Sequence, residues 1–245
     1  MFIGFGTLVN VVTVVLGASV GLLIGNRFPE RTRSLVTDTL GLVTIVIGIF
    51  ACMSMNSDAG PGGLGGGVGM LVVLGSLLPG ALLGSWLRLT QRLDRGAARL
   101  RDVLGQKGSP HFVEGLITPV LVFCVGPLTI MGSISDGLGL GSQQLLVKSV
   151  LDGFASIAFA ASLGVGVLFS AGAVGLIQGG LTLAAFFAGG FLSPWQVDLL
   201  EATGGVILIG LGLRLLEIRE IKVADMLPAL VFAPILAWGV ATVLG

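Results

Sequence analysis

Long apolar stretches follow one another along almost the whole chain, with short polar segments between them. A helix needs about 20 mostly apolar residues to cross the hydrocarbon core of a bilayer. The fifth and sixth stretches are separated only by a corner of small residues near Ser170–Gly172, so seven long spans are the alternative to eight. The pattern predicts eight transmembrane spans, over residues 3–25, 33–53, 64–87, 112–133, 145–169, 171–192, 197–216 and 223–244.

The composition also indicates a membrane protein. Apolar residues make up 54% of the 245 positions and charged residues 11%, whereas a soluble domain has about 25% charged residues. A globule of about 250 residues buries only about three quarters of its chain surface, so the surplus apolar surface must face lipid. We therefore predict an all-α, polytopic membrane helix bundle that forms a single transmembrane domain over residues 1–245.

The basic residues give this layout a direction. With eight spans, the loops after the first, third and seventh spans lie on one side of the membrane, and the opposite loops, at 54–62, 134–143 and 193–197, contain no Lys or Arg. Basic loops face the cytoplasm, which predicts that both termini lie outside. Only Lys148 does not follow this one-sided distribution, because it lies inside the fifth span. The other twelve basic residues are Arg27, Arg31, Arg33, Arg88, Arg92, Arg95, Arg99, Arg101, Lys107, Arg214, Arg219 and Lys222.

The segment 86–106 differs from the spans because its arginines and apolar residues recur on opposite faces of a helix. This pattern is typical of an interfacial helix on an anionic membrane surface, and a solvated charged loop is the alternative. Its apolar positions are Leu89, Leu93, Ala97, Leu100 and Leu104.

Two weak internal repeats relate spans that run in opposite directions. In the first, the fourth and fifth spans align with Glu114 on Asp152 and Thr118 on Ser156. In the second, the first three spans align with the last three. Its matched positions are Asn10 with Gln178, Thr39 with Thr203, and Leu78-Pro79 with Leu227-Pro228.

Together these repeats predict an inverted-topology architecture, with repeat one over 1–133 and repeat two over 145–245. Inverted repeats form inward-open and outward-open states around a site near the membrane midplane. The architecture is typical of transporters, although some channels share it.

Ionisable residues inside a span are the first candidates for function, because burying a charge in the membrane costs roughly 3 kcal/mol or more. Lys148 and Asp152 are four residues apart on one helix face, so an ion pair is expected, with a structural or a transport role. Glu114 is placed near the inner end of the fourth span. It is predicted either to line one cavity with Asp152 and carry a proton, or to pair with a basic residue at the interface.

The fourth span also contains a mid-span Gly126-Pro127, which frees backbone carbonyls and predicts a broken helix at a solute or ion site. A simple packing kink is the alternative. Asn10 and Gln178 are amides at matched positions, and interhelical hydrogen bonding is their alternative role. The complete predicted pathway comprises Asn10, Glu114, Thr118, Cys124, Gly126, Pro127, Lys148, Asp152, Ser156 and Gln178.

Several functional classes are not favoured by the sequence. The formal net charge is zero, which argues against nucleic acid as a partner. Two cysteines and one histidine without the usual zinc spacings predict no metal site, and no cofactor is expected. The motifs of known intramembrane proteases are missing, so an enzyme is not expected. The expected partners are the lipid bilayer, a small solute or ion and, in one alternative, a second copy of the chain.

Several segments resemble the YqgA/YdfK family of bacterial inner-membrane proteins. They include GTLVNVVTVVLGASVGLLIG near the start, FVEGLITPVLVFCVGPLTIMGSISDGL, LLVKSVLDGFASIAFAASLGVGVLFSA and ATGGVILIGLGLRLL. The resemblance implies a multi-pass location in the bacterial inner membrane. The family is one of unknown function, so the resemblance supplies no substrate. The residues themselves favour a transporter of a small solute or ion, with proton coupling as a further hypothesis. A passive channel is the alternative, and a membrane scaffold or an intramembrane enzyme is less favoured.

The topology can be tested with reporter fusions. Reporters placed after Gly245 and within residues 96–106 should report opposite compartments, because an even span count puts both termini outside and the 86–106 helix inside. A cytoplasmic C-terminus would contradict the eight-span layout and, with it, the inverted repeat.

Overall fold

The computed structural model describes residues 2–25, 29–56, 65–106, 111–125, 127–188 and 192–244. Within these ranges all regular secondary structure is helical. This confirms the predicted all-α membrane fold. The α-helices are α1 (Phe5–Gly25), α2 (Glu30–Met53), α3 (Gly65–Leu87), α4 (Leu89–Val103), α5 (Phe112–Val125), α6 (Pro127–Gly137), α7 (Gln143–Leu163), α8 (Gly166–Ala188), α9 (Pro194–Leu215) and α10 (Ala229–Leu244).

Seven helical segments in the described ranges are long and apolar enough to cross a membrane, and the pair α5 and α6, bent by 65°, would be an eighth. The start of α5 lies at the end of α7, where Gly115 packs against Leu163. The middle of α6 reaches the start of α7, where Gly132 packs against Leu145. These two contacts are about 27 Å apart along α7 at 1.5 Å per residue, close to the bilayer core thickness of about 30 Å. The pair therefore extends along α7 over about the length of one membrane crossing.

The direction of α1 relative to α7 supports the same count. Gly6 packs against Leu145, Gly17 against Gly153 and Gly25 against Ala161, so the two helices run parallel. Between them the chain passes through α2, α3 and the broken pair. α7 can run parallel to α1 only if the chain crosses the membrane an odd number of times between them. With α2 and α3 as two crossings, the pair α5 and α6 has to be the third. A re-entrant pair would make α7 antiparallel to α1.

The corner between the fifth and sixth spans was predicted near Ser170–Gly172, and this position is wrong. α7 ends at Leu163 and α8 begins at Gly166. Gly164 makes the turn with a φ of 79°, in the left-handed region that glycine adopts without strain. Ser170 lies inside α8, where its hydroxyl donates to the Val167 carbonyl at 2.7 Å. The spans are nevertheless separate, so the alternative in which they form one long span does not hold.

The described helices fall into two compact units. The first unit comprises Met1–Gly41, Asp94–Cys124 and Leu128–Phe191. In it α1 packs closely along α7 through glycines, and on α8 with Thr7 next to Gly179 and Val11 next to Gly175. The numbers of these pairs run in opposite senses, so α1 and α8 are antiparallel. α1, which belongs to the predicted repeat one, thus packs against two helices of the predicted repeat two, α7 and α8.

The second unit comprises Leu42–Leu93, Val125–Pro127 and Leu192–Gly245. α3 packs against α9 and α10, around a core that includes Val72, Trp195 and Leu199. α3 and α10 approach closely at Gly80, which faces Ala229. Each unit contains segments of both predicted repeats, 1–133 and 145–245. The single domain with two sequence repeats remains a prediction.

The predicted interfacial helix corresponds to α4, which lies within the expected 86–106. It starts directly after α3, where Arg88 adopts a positive φ of 52° and turns the chain. The backbone N–H of Thr90 donates to Asp225 Oδ1 at 2.8 Å, so an acid from the 3-10 turn before α10 caps the start of α4. Lys107 and Arg27, two of the predicted cytoplasmic residues, lie outside the described residues.

The close contact of α1 with α7 depends on glycine. A Cβ on Gly17 would collide with the Gly153 carbonyl, whereas nothing lies within 4 Å of a Cβ on Gly172 in α8. Gly17→Ala should therefore destabilise the protein by about 1–3 kcal/mol, the usual range for overpacking. The readout is the temperature at which half of the detergent-purified protein stays monodisperse.

Gly172→Ala is the matched control and should leave that temperature unchanged or slightly higher. Equal midpoints for the two variants would contradict the packing argument.

Candidate functional site

Four buried polar side chains meet where α1, α7 and α8 pack together: Asn10, Lys148, Asp152 and Gln178. We call these four residues the polar cluster. Asn10 Nδ2 donates to Asp152 Oδ2 at 3.0 Å and to Gln178 Oε1 at 2.9 Å. The Lys148 ammonium donates to the same Asp152 Oδ2. One carboxylate oxygen thus accepts from two different helices.

The sequence brings these residues together in two ways. Lys148 and Asp152 are one turn apart on α7, so their side chains lie on the same face. Small residues let the neighbouring helices approach: Gly17 lies against Gly153, next to Asp152, and Gly179 lies beside Thr7. Without close backbone contact the short side chain of Asn10 could not reach both partners.

The ion pair in the cluster is deeply buried. Lys148 and Asp152 are 4% and 7% exposed. A buried pair is tolerated because each charge compensates the other, and removing one partner leaves an uncompensated charge. The Lys148 ammonium also lies 5.6 Å from the centre of the Phe123 ring on α5, which provides a weaker cation–π contact.

Some polar atoms at the cluster are not satisfied. Asn10 Oδ1, Gln178 Nε2 and Thr7 Oγ1 are buried and have no hydrogen-bond partner within the described part of the chain. Thr7 precedes Asn10 by almost one turn of α1, on the same side of the helix. Most buried polar groups are paired, so three open atoms next to an ion pair mark a place where a ligand or water can bind.

Glu114 does not belong to the polar cluster. It lies in the first turn of α5 with its side chain 36% exposed, and its Oε2 is 3.6 Å from His111 Nδ1. The adjacent Gly115 packs against Leu163, about 16 Å along α7 from Asp152. The expectation that Glu114 and Asp152 line one cavity is therefore corrected. The first repeat aligned Glu114, at the start of α5, with Asp152, in the interior of α7.

The other predicted residues of the fourth and fifth spans are only partly connected to the cluster. Ser156 is buried on α7, but its hydroxyl donates to the Asp152 carbonyl at 2.6 Å within the helix. Thr118 is buried on α5 and Cys124 precedes its end. Gly126 lies outside the described residues, and Pro127 is the first residue of α6. Thr129 donates to the Phe123 carbonyl at 2.6 Å, which satisfies an acceptor near the break.

A family of proteins of unknown function, DUF554, matches this chain over residues 5–238. That range includes every helix of the polar cluster. The chain belongs to the DUF554 family. This confirms the resemblance predicted from the sequence.

Two full-length relatives agree with the DUF554 match. The uncharacterized protein YqgA of Escherichia coli K12 is 30% identical over 233 residues, covering 93% of this chain and 94% of the relative. The uncharacterized membrane protein YdfK of Bacillus subtilis 168 is 26% identical over 231 residues, covering 94% of each. A third relative is similar over a shorter stretch: a putative manganese efflux pump, MntP, of Desulforamulus reducens is 29% identical over 85 residues, covering 35% of this chain and 36% of the relative. No solved structure matches the chain.

Sequence reasoning on this DUF554 protein missed three residues. Thr7 and Phe123 carry no charge or motif, and only the packing brings them to the cluster. Asp136, at the end of α6, accepts from the Gly4 backbone N–H at 3.1 Å and so caps the start of α1. It also lines a cavity of about 200 Å³, together with Phe2, Ile3, Gly139, Gly141, Ser142 and Gln143. An acid close to the end of an apolar span was the available signal for Asp136.

The buried ion pair should be strongly coupled. Asp152→Asn and Lys148→Met should each destabilise the protein by about 3–5 kcal/mol, because either change leaves one buried charge without its partner. The double variant should lose clearly less than the sum. Unfolding in SDS mixtures gives the free energies for this double-mutant cycle.

The exposed pair Arg101–Asp102, with side chains 30% and 48% exposed, is the control. Its cycle should be additive within about 1 kcal/mol. Additive losses at Lys148 and Asp152 would contradict the coupling.

Proposed function

We propose that this protein transports a small solute or ion across the membrane and that the polar cluster is its intramembrane site. The observation that carries the proposal is the hydrogen bond between Asn10 and Gln178, two residues that the second sequence repeat matches with each other. Amides and an ion pair deep inside membrane helices are costly, and they are typical of substrate and ion pathways.

The contacts of α1 with α8 support an inverted repeat. When a two-fold axis relates two helices, matched residues meet at the axis and the contacts on either side occur as exchanged pairs. In the alignment that pairs Asn10 with Gln178, Thr7 matches Gly175 and Val11 matches Gly179. In the structure Thr7 contacts Gly179 and Val11 contacts Gly175, which is such an exchange.

A second helix pair, α3 and α10, supports the same symmetry within its own unit. The repeat aligns Leu78-Pro79 with Leu227-Pro228, and therefore Gly80 with Ala229. Gly80 packs directly against Ala229, again a contact between matched positions. Two helix pairs with independent sequence matches favour an inverted repeat, in which the halves exchange conformations to open the site to either side.

Transport is favoured over the alternative functions by the chemistry of the cluster. A passive channel is the second candidate, but it has no need for a paired carboxylate at its centre. The partial similarity to a protein described as a putative manganese efflux pump is consistent with transport of an ion. An enzymatic role is not proposed. Proton coupling through Glu114 is no longer supported, because the start of α5 packs against the end of α7, far from Asp152.

The proposed setting is the bacterial inner membrane, with both termini outside. The eight-span count and the one-sided distribution of basic residues support this orientation.

Transport can be tested in liposomes that contain the purified protein. Uptake of labelled cations, anions and metabolites is measured with and without an opposing gradient. Gln178→Met, which keeps the side-chain length but removes both hydrogen-bonding atoms, should lower uptake at least tenfold. Gln144→Met makes the same change at an exposed position in the first turn of α7 and should leave uptake unchanged.

A transporter should also show faster uptake when the same solute is present on the opposite side. Flux without this stimulation would support the channel instead. Equal uptake by the two variants would contradict a site at the polar cluster.

A further inference from the structure

We propose that the polar cluster binds a metal cation as the transported substrate, and that the Lys148 ammonium and the Asn10 amide nitrogen occupy the place of that cation in this structure. The inference rests on the proposed function and adds the class of substrate and the competitor that the cation must displace.

The first step is the arrangement of oxygen atoms. Asp152 Oδ2 and Gln178 Oε1 lie 3.0 Å and 2.9 Å from the same nitrogen, Asn10 Nδ2. Two oxygens from two helices therefore face one point, and a donor with partial positive charge occupies it. Carboxylate and amide oxygens are the ligands that hard cations prefer, at about 2.0–2.6 Å. A contraction of less than about 1 Å around that point gives such distances.

The second step is the unused oxygen of Asn10. Asn10 Oδ1 is buried without a partner, on the same amide group as the nitrogen that lies between the two acceptors. Turning the amide by about 180° exchanges the positions of its donor nitrogen and its acceptor oxygen, which have a similar size, and only the oxygen can bind a cation. Asn10 Oδ1 then takes the position of Nδ2, about 3 Å from Asp152 Oδ2 and Gln178 Oε1, so that three oxygens from α1, α7 and α8 can share a cation bound between them. The unpartnered hydroxyl of Thr7, almost one turn away on α1, provides a fourth oxygen close by.

The third step concerns Lys148. Its ammonium binds the same Asp152 Oδ2 that faces the point between the oxygens. Because ammonium and metal cation need the same carboxylate oxygen, they compete for it. The Phe123 ring, 5.6 Å from Lys148 Nζ, offers the displaced ammonium a second contact. The resting ion pair thus keeps the carboxylate neutralised until a cation replaces the lysine.

An anionic substrate fits the cluster less well. Gln178 Nε2 is an open donor, but the nearest positive charge already pairs with Asp152, and the carboxylate would repel an anion. Among the described residues no group of three His, Cys, Asp or Glu side chains converges. The cation site therefore consists of one carboxylate with amide and hydroxyl oxygens, the chemistry of hard rather than thiophilic metals.

Cation binding can be measured on the detergent-purified full-length protein, separately from transport. Thermal unfolding is followed in Na⁺, K⁺, Mg²⁺ or Mn²⁺ chloride, with N-methylglucamine chloride keeping the ionic strength constant. At least one metal cation should raise the midpoint saturably. The monovalent and divalent arms identify which class of cation binds.

The variants separate a cation site from a structural ion pair. Lys148→Gln removes the competitor and should tighten binding at least tenfold, whereas Asp152→Asn should abolish it. If the ion pair were purely structural, Lys148→Gln and Asp152→Asn would change metal binding in the same direction. Asn10→Asp leaves Lys148 paired and adds a carboxylate oxygen, so it should also tighten binding, and it keeps the test open if Lys148→Gln does not fold. Gln144→Glu adds the same charge at an exposed position and should have no effect.

No saturable effect of any metal in the wild type and in Asn10→Asp would overturn the inference, as would weaker binding in Lys148→Gln. If the liposomes transport an anion or an uncharged solute and no metal binds, the cation site is wrong and the transporter proposal stands. If metals bind with the expected pattern of variants but no solute crosses the membrane, the cation site stands and the transporter proposal is wrong.

Discussion

The close approach of α1 to α7 is the constraint on which the first unit depends. Lipid tails are as apolar as leucine, so helices in a membrane gain little from burying apolar side chains against each other. They associate where their backbones come near enough for dense packing. Gly6, Gly17, Gly21 and Gly25 form such a contact surface on α1, each lying against α7. Only this proximity allows Asn10 to join an ion pair on one neighbouring helix to an amide on the other.

Most of the helices could be predicted from apolar length, because the bilayer sets that length directly. The helix ends were harder to predict where glycine is frequent. The corner at Gly164 lies in a run of small and apolar residues, and hydropathy does not distinguish a glycine inside a membrane helix from one that ends it. The turn requires a positive φ, which Gly164 adopts without strain. The sequence alone does not show which of several glycines has such a φ.

The site was predictable only in part, for similar reasons. Lys148 and Asp152 were paired by helical spacing, and Asn10 and Gln178 were matched through the repeat, although nothing in the sequence said that all four would meet. The prediction that Glu114 shares a cavity with Asp152 relied on the first repeat, which aligned the two acids although Glu114 is near the inner end of its span. It lies in the first turn of its helix, where a charged group reaches the interface. Thr7 became relevant only through its missing hydrogen-bond partner.

The two-residue turn between α7 and α8 has a consequence for how the chain enters the membrane. Helices joined so tightly are expected to leave the translocation machinery as one hairpin, with α7 shielded by α8 during synthesis. α7 carries Lys148 in its interior, and a lone charge there would oppose partitioning into lipid by roughly 3 kcal/mol. Because Asp152 follows Lys148 by one turn, the nascent helix brings its own counter-ion and does not have to wait for a distant segment. The polar centre of the protein is thus neutral from the time it is inserted, before α1 has packed beside it.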